Sequence, residues 1–227
     1  MFKLLINLLF PKVCCGCKSL LLQHEYVICT VCRHELPLTE FYNNPENEVV
    51  KKFYGRLPLE HASSFLYFHK KGIVQEMIHS LKYRGHEEIG TVIGLWYGED
   101  LKSVLRNAQI DLIVPVPLHK KRMRQRGFNQ VTTFGKALAQ KLQVDYDSGI
   151  LIRKVYSETQ SKKNLVQRAY NTEHVFDVID TEHHHNRHFL LIDDVLTTGA
   201  TLEACGRAIL KIPGAKLSIV TMAITHS

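Results

Sequence analysis

The sequence predicts an α/β protein built on a parallel sheet with helices on both faces, carrying a small N-terminal cysteine module. Three observations predict it. Buried-type apolar runs alternate with helical patterns through the second half of the chain, the order that yields parallel strands joined by helical crossovers. The two chemically richest loops each follow such a run, and open α/β sheets hold their ligands at the carboxyl ends of strands. Near the N-terminus stand two Cys-x2-Cys pairs, Cys14/Cys17 and Cys29/Cys32, spaced as the ligands of one tetrahedral zinc.

The chain has 227 residues, 45% hydrophobic and 22% charged. That is a globular composition, and it excludes a disordered, collagenous or coiled-coil chain. The formal net charge is +7 and the pI about 9.1, which favours polyanionic partners. No apolar run is long enough for a membrane span. The expected division is residues 1–40 for an N-terminal helix and zinc-binding module, 41–108 for a linker and helical segment, and 109–227 for the α/β domain.

Residues 1–10 read as a short amphipathic helix stopped by Pro11. No small-residue cleavage site follows, so a secretory signal is not expected and the expected location is the cytoplasm. Of the six cysteines, five lie between residues 14 and 32. Cys14, Cys17, Cys29 and Cys32 are the candidate zinc ligands. Cys15 is an alternative to Cys14, and His24 or His34 are weaker substitutes. Disulfide pairing is the competing reading, disfavoured by the odd Cys15 and the missing signal. So small a segment buries too little surface to fold alone, and the metal would supply its folding free energy.

Residues 41–60 read as a polar linker, with Asn44, Pro45 and Gly55 as turn signals. Residues 63–69 are a candidate strand, and 73–82 and 88–105 have helical spacing. Residues 111–117 form a buried strand ending in prolines, followed by a basic loop at 119–126. Residues 127–142 are helical, with Phe128, Val131, Phe134, Leu138 and Leu142 on one face. A short strand is expected within 150–157. Residues 158–173 are polar, and 181–188 form a His-rich loop whose His183, His184, His185 and His188 are read as solvated rather than metal-binding. Residues 189–192 are a second buried strand, 200–212 a helix with Cys205 in the core, and 217–224 the last strand.

The chemistry concentrates after residue 192. A buried strand ends in Asp193 and Asp194, and Thr197, Thr198 and Gly199 turn directly into a helix that starts at Ala200 and Thr201. Free backbone N–H groups at such a turn cradle phosphate. The carboxylates suit sugar hydroxyls or a hydrated Mg2+. Together they describe a ribose 5-phosphate site. A second constellation follows the strand at 111–117: Lys120, Lys121, Arg122, Arg124 and Arg126 are five cations in seven residues, able to hold a pyrophosphate. Solvated surface and contact with nucleic acid are the other readings of this segment. No Gly-x-Gly-x-x-Gly is present, and Gly135-Lys136 lacks the remainder of a P-loop.

The stretch from Phe189 to Thr201 resembles the phosphoribosyl-pyrophosphate (PRPP) signature of type I phosphoribosyltransferases. The resemblance implies a type I phosphoribosyltransferase-like sheet, with Asp193 and Asp194 as the catalytic acids facing the ribose hydroxyls and Thr197, Thr198, Gly199, Ala200 and Thr201 on the 5-phosphate. The cysteine pairs, Leu81-Lys82-Tyr83, the segment from Pro115 to Gln130 and the series Gln160, Arg168, Asn171 extend it. With these the chain resembles the ComF family of competence-associated, GntX-like proteins. That adds Lys121, Arg122, Arg126, Asn129, Gln130, Gln160 and Arg168 as substrate-binding candidates, with Gln160 and Arg168 on a mobile loop. It implies structural Zn2+, Mg2+ accompanying PRPP, and a link to DNA uptake and natural transformation. Single-stranded DNA and a competence helicase are the implied macromolecular partners. A non-catalytic DNA-binding or adaptor role is the alternative to phosphoribosyl transfer. Cys15 and the His-rich loop are not part of the pattern.

Overall fold

The computed structural model describes residues 11–105, 108–154, 175–179 and 181–226. Two short helices open it, α1 (Thr30–His34) and α2 (Glu48–Phe53). Then come β1 (His61–Phe68), α3 (Ile73–Tyr83), α4 (Glu88–Leu105), β2 (Leu112–Pro115), α5 (Lys120–Arg126), α6 (Thr132–Leu142) and β3 (Asp145–Tyr146). The chain finishes with β4 (Leu151–Arg153), β5 (Phe176–Val178), β6 (His188–Leu196), α7 (Ala200–Ile209) and β7 (Lys216–Thr225).

Five strands form one sheet in the order β1-β7-β6-β2-β3, and every neighbouring pair is parallel. β4 and β5 make a separate antiparallel pair. Strand alternation splits the apolar residues between two cores. Ile113, Leu190, Ile192, Val220 and Met222 face α3, α4, α6 and the cysteine module. Leu112, Val114, Phe189, Leu191 and Ile219 face α2, α7 and the β4–β5 pair. Helices therefore cover both faces of a parallel sheet, which explains why its strands read as continuous apolar runs.

Several expectations need correcting. The sheet runs across the division expected near residue 108, because β1 pairs with β7 along its length. The stretch 41–60 is more than a linker: Asn47 caps α2 through its side chain, and Val49 and Phe53 are buried. The basic segment is a helix rather than a loop. His119 Nδ1 accepts the Lys121 N–H, and Gly127, at φ 79°, closes the C-terminus, while Lys, Arg, Met and Gln are good helix formers. The following helix starts at Thr132, five residues later than its pattern suggests. β6 extends through Asp193 and Asp194 to Leu196 because β7 continues beside it. α7 ends at Ile209. His188 belongs to β6 and is buried, bridging Ala108 O (2.7 Å) and Ser218 Oγ (2.8 Å). The helix expected at 1–10, the polar stretch 158–173 and the candidates Gln160 and Arg168 lie outside the described residues. Cys205 is core, as expected.

α4 lies against α6 along a face of three glycines. A Cβ at Gly94 would sit 2.6 Å from Phe134 O and 2.7 Å from Ala137 Cβ, and one at Gly98 would sit 2.7 Å from Lys141 Cβ. Gly90 approaches Thr133 and Phe134 as tightly.

Candidate functional site: the carboxyl end of the sheet and the cysteine module

Asp193 and Asp194 are neighbours in a strand, so their side chains leave on opposite faces. Asp193, partly buried, turns toward α7 and lines a cavity of about 50 Å3 with Thr197, Thr198, Gly199, Ala200 and Thr201. Its Oδ1 accepts the Asp194 N–H at 2.8 Å. Burial, then the neighbouring Asp194 charge, pushes its carboxyl pKa up to about 7. Lys82 and Arg122 pull the other way.

Asp194 is buried on the other face and is already engaged. Lys82 Nζ donates to its Oδ1 at 2.8 Å, and Gln130 Nε2 donates to its Oδ2 at 2.6 Å. Gln130 in turn accepts from Arg126 at 2.8 Å, and Arg126 lies over the Tyr83 ring, 5.0 Å from its centre. Asn129 is tied to Val116 O at 3.0 Å. Thus Arg126 and Gln130 form a structural chain from α5 to Asp194, while Asn129 is fastened to the residue after β2. Lys121 and Arg122 stay exposed on α5 with Lys120 and Arg124. Beside Asp194 opens a second cleft of about 340 Å3, lined by Phe68, His79, Lys82, Tyr83 and Thr197 among others.

The turn between β6 and α7 is built from below. Gly199 has φ 80°, and a Cβ there would meet the Phe53 ring at 3.0 Å. Arg56 donates to Thr198 O at 3.3 Å and pairs with Glu203 of α7. Thr197, Thr198 and Thr201 are exposed. The start of α7 lines the same cavity, with the Ala200 N–H donating to Thr198 Oγ1 at 3.4 Å, and helix N-termini favour anions.

Lys82 was absent from the site residues named from sequence. Its signal was its position: Val74 and Ile78 are buried on α3, and Lys82 continues that four-residue spacing, placing a cation on the apolar face. Arg56 and Phe53 were missed because the segment holding them reads as linker.

In the cysteine module, the Sγ atoms of Cys14, Cys17, Cys29 and Cys32 all lie within 4.8 Å of one another, and none is in a disulfide. Cys17 and Cys29 Sγ are 3.7 Å apart; a tetrahedral Zn–S4 centre with bonds of about 2.3 Å needs about 3.8 Å. Backbone N–H groups of Gly16 and Cys29 point at Cys14 Sγ (3.3 and 3.2 Å), and that of Cys32 points at Cys29 Sγ (3.4 Å). A Cβ at Gly16 would come within 2.9 Å of Cys32 Sγ. Hydrogen bonds from Ser19 lower the Cys17 thiol to about 6, whereas burial raises that of Cys32. This donor set fits zinc. Cys15 turns away from it, and neither His24 nor His34 joins a ligand cluster among the described residues.

The described residues contain no helix long and apolar enough to cross a membrane. Residues 132–226 match the family model of the phosphoribosyl transferase domain. The chain is 28% identical over 200 residues to competence protein ComFC of Bacillus subtilis, covering 88% of this chain and 78% of that one. It is 27% identical over 147 residues to DNA utilization protein YhgH of Escherichia coli, covering 63% of each, so it spans less than two thirds of YhgH. Among solved structures, a hypoxanthine phosphoribosyltransferase from Staphylococcus aureus is similar with a TM-score of 0.37 and 16% identity, over 60% of this chain and 68% of that one. A matched phosphoribosyl transferase domain and relatives among competence and DNA-utilization proteins support a ComF-family phosphoribosyltransferase-domain protein.

Proposed function

We propose that this protein binds PRPP, or a ribose 5-phosphate, with Mg2+ at the turn between β6 and α7, and that it transfers the phosphoribosyl group in the handling of incoming DNA. One observation carries the reading: the Asp193 carboxylate of β6, an exposed threonine turn and the start of α7 line one small cavity. The 5-phosphate takes the N–H groups and hydroxyls of Thr197 to Thr201, and Asp193 faces the ribose. Mg2+ supplies charge neutralisation for the departing pyrophosphate. Asp193 suits it, since it offers hard oxygen donors with one protein hydrogen bond on the carboxylate, and a nearby cation would relieve the burial and repulsion that raise its pKa. The C1–O bond to pyrophosphate breaks as the acceptor's nitrogen bonds C1. Lys121 and Arg122 stabilise the leaving group from α5. Asp194 acts through Lys82 and Gln130 as an anchor for the strand end. Gln160 and Arg168 belong to the same proposal as closing residues. Zinc in the four-cysteine centre has a structural role.

The test follows pyrophosphate release from PRPP and Mg2+ with a panel of bases, nucleosides and single-stranded oligonucleotides, alongside calorimetric PRPP binding. Mg2+-dependent binding lost in Asp193→Asn supports the reading; unchanged binding in that variant overturns it.

A second reading has its own observation. Lys120, Lys121, Arg122 and Arg124 are exposed on one seven-residue helix and make no ion pair among the described residues. A single-stranded polyanion suits that surface, with affinity falling with salt at a slope of roughly −0.7 per phosphate contact. Charge reversal at Lys120, Lys121 and Arg124 should flatten the slope by about 2. Oligonucleotide binding indifferent to salt removes this reading and leaves the small-molecule transferase. A competence helicase as partner rests on the family resemblance alone.

A further inference from the structure

We propose that Cys15, His86 and Glu88 form a second metal site, distinct from the four-cysteine centre, which takes Zn2+ or a similar borderline divalent cation and clamps the cysteine module to the corner between α3 and α4. Cys15 follows Cys14 directly, yet its Sγ joins a different cluster. The Cys15 thiol, one His86 nitrogen and one Glu88 carboxylate oxygen all lie within 4.8 Å of one another. Cys15 is 3% exposed, and among the described residues nothing hydrogen-bonds its sulfur.

The corner is shaped to present the other two donors. Gly85, at φ 73°, turns the chain out of α3, the His86 N–H returns to Ser80 O at 3.4 Å, and Glu88 opens α4. His86 Nδ1 and Glu88 Oε1 stand 2.8 Å apart. Ligand atoms around a four-coordinate first-row cation are separated by about 3.3–3.8 Å, so small side-chain rotations admit the ion. The module is already held there by Lys18, whose Nζ reaches Cys15 O and Ser80 Oγ, each at 3.2 Å.

Thiolate, imidazole and carboxylate together are a borderline-soft set that favours zinc over magnesium or calcium. Three protein ligands leave a fourth position for water, so this ion would exchange faster than one held by four thiolates. The site lies four residues beyond Lys82. It would therefore fix the end of the helix that holds Asp194.

The probe is Co2+, titrated into the full-length chain after zinc removal under reducing conditions and followed by absorption, with metal analysis at saturation. The wild type should take two equivalents, one with intense thiolate-to-cobalt bands and one with the weaker bands of a single thiolate. His86→Ala and Glu88→Gln should each lose the second equivalent, or weaken it roughly ten-fold or more, and keep the thiolate-rich spectrum. Glu88→Gln is the control should His86→Ala fold poorly. A single equivalent that His86→Ala abolishes would support this site and refute the four-cysteine one. One equivalent in the wild type unaffected by either variant, or two equivalents retained in both, would overturn the proposal and leave Cys15, His86 and Glu88 as a packed polar trio.

Discussion

Replacing Asp193 by Asn should stabilise the protein, and the gain should depend on pH. The Asp193 carboxyl titrates near 7 in the fold against an ordinary 3.8, chiefly through burial and then through Asp194. The unfolded chain gives up this proton first, so between those values the native state binds more protons and stability falls as pH rises. Three units at about 1.4 kcal/mol each set a ceiling of about 4 kcal/mol at pH 8. Asp193 is partly solvated and shares its charge repulsion with Asp194, so the gain expected at pH 8 is about 1–2 kcal/mol, shrinking to about zero at pH 3, below the ordinary carboxyl range. Asn retains the oxygen that accepts the Asp194 N–H. Urea unfolding monitored at both pH values measures it, with a midpoint rise of roughly 0.5 M at pH 8. Millimolar Mg2+ should stabilise the wild type and not the variant. A loss of stability at pH 8, or an equal gain at both pH values, refutes the reasoning.

The partner substitution should do the opposite. Asp194→Asn leaves Lys82, 20% exposed in its side chain, without its anion, and should cost about 1–3 kcal/mol in the same unfolding assay. Gly199→Ala forces φ 80° on a residue with a Cβ and drives that atom to 3.0 Å from Phe53; a loss of about 1–2 kcal/mol, with weakened phosphate binding by calorimetry, is expected. Cys17→Ser should lower bound zinc by about one equivalent by metal analysis and expose the module to limited proteolysis, while the sheet's near-ultraviolet dichroism persists.

Features that are local along the chain were legible in the sequence, and features assembled across it were not. The cysteine pairs were legible because metal spacing is written along the chain. The acid pair Asp193 and Asp194 was legible because an apolar run closed by two acids is costly without a ligand or partner. The expectation that both acids serve one ligand is where a local reading stops, since strand alternation sends them into different clefts. Lys82 and Gln130 meet at Asp194 across gaps of 112 and 64 residues, and no local pattern announces such a meeting. The helix over Lys120–Arg126 failed for another reason. Its composition is helical and its capping residues are in place, but five like charges in seven residues suggested a solvated loop. The segment 41–60 misled through its turn residues, which flank a helix short enough to leave no period.

The glycine face of α4 reaches further than its own packing. Where Gly94 meets Phe134 and Ala137, two helices touch backbone to backbone, and close-packed interiors do not yield there. A single methyl would displace α6 by about an ångström, since contacts of 2.6 Å must open to ordinary separation. Gln130 stands two residues ahead of that helix and holds Asp194 at 2.6 Å. The charge balance at the strand end is thus set partly by a surface that meets no ligand. Loss of function on substituting Gly90, Gly94 or Gly98 would report a helix moved off its seat, and would be misread as chemistry at α4.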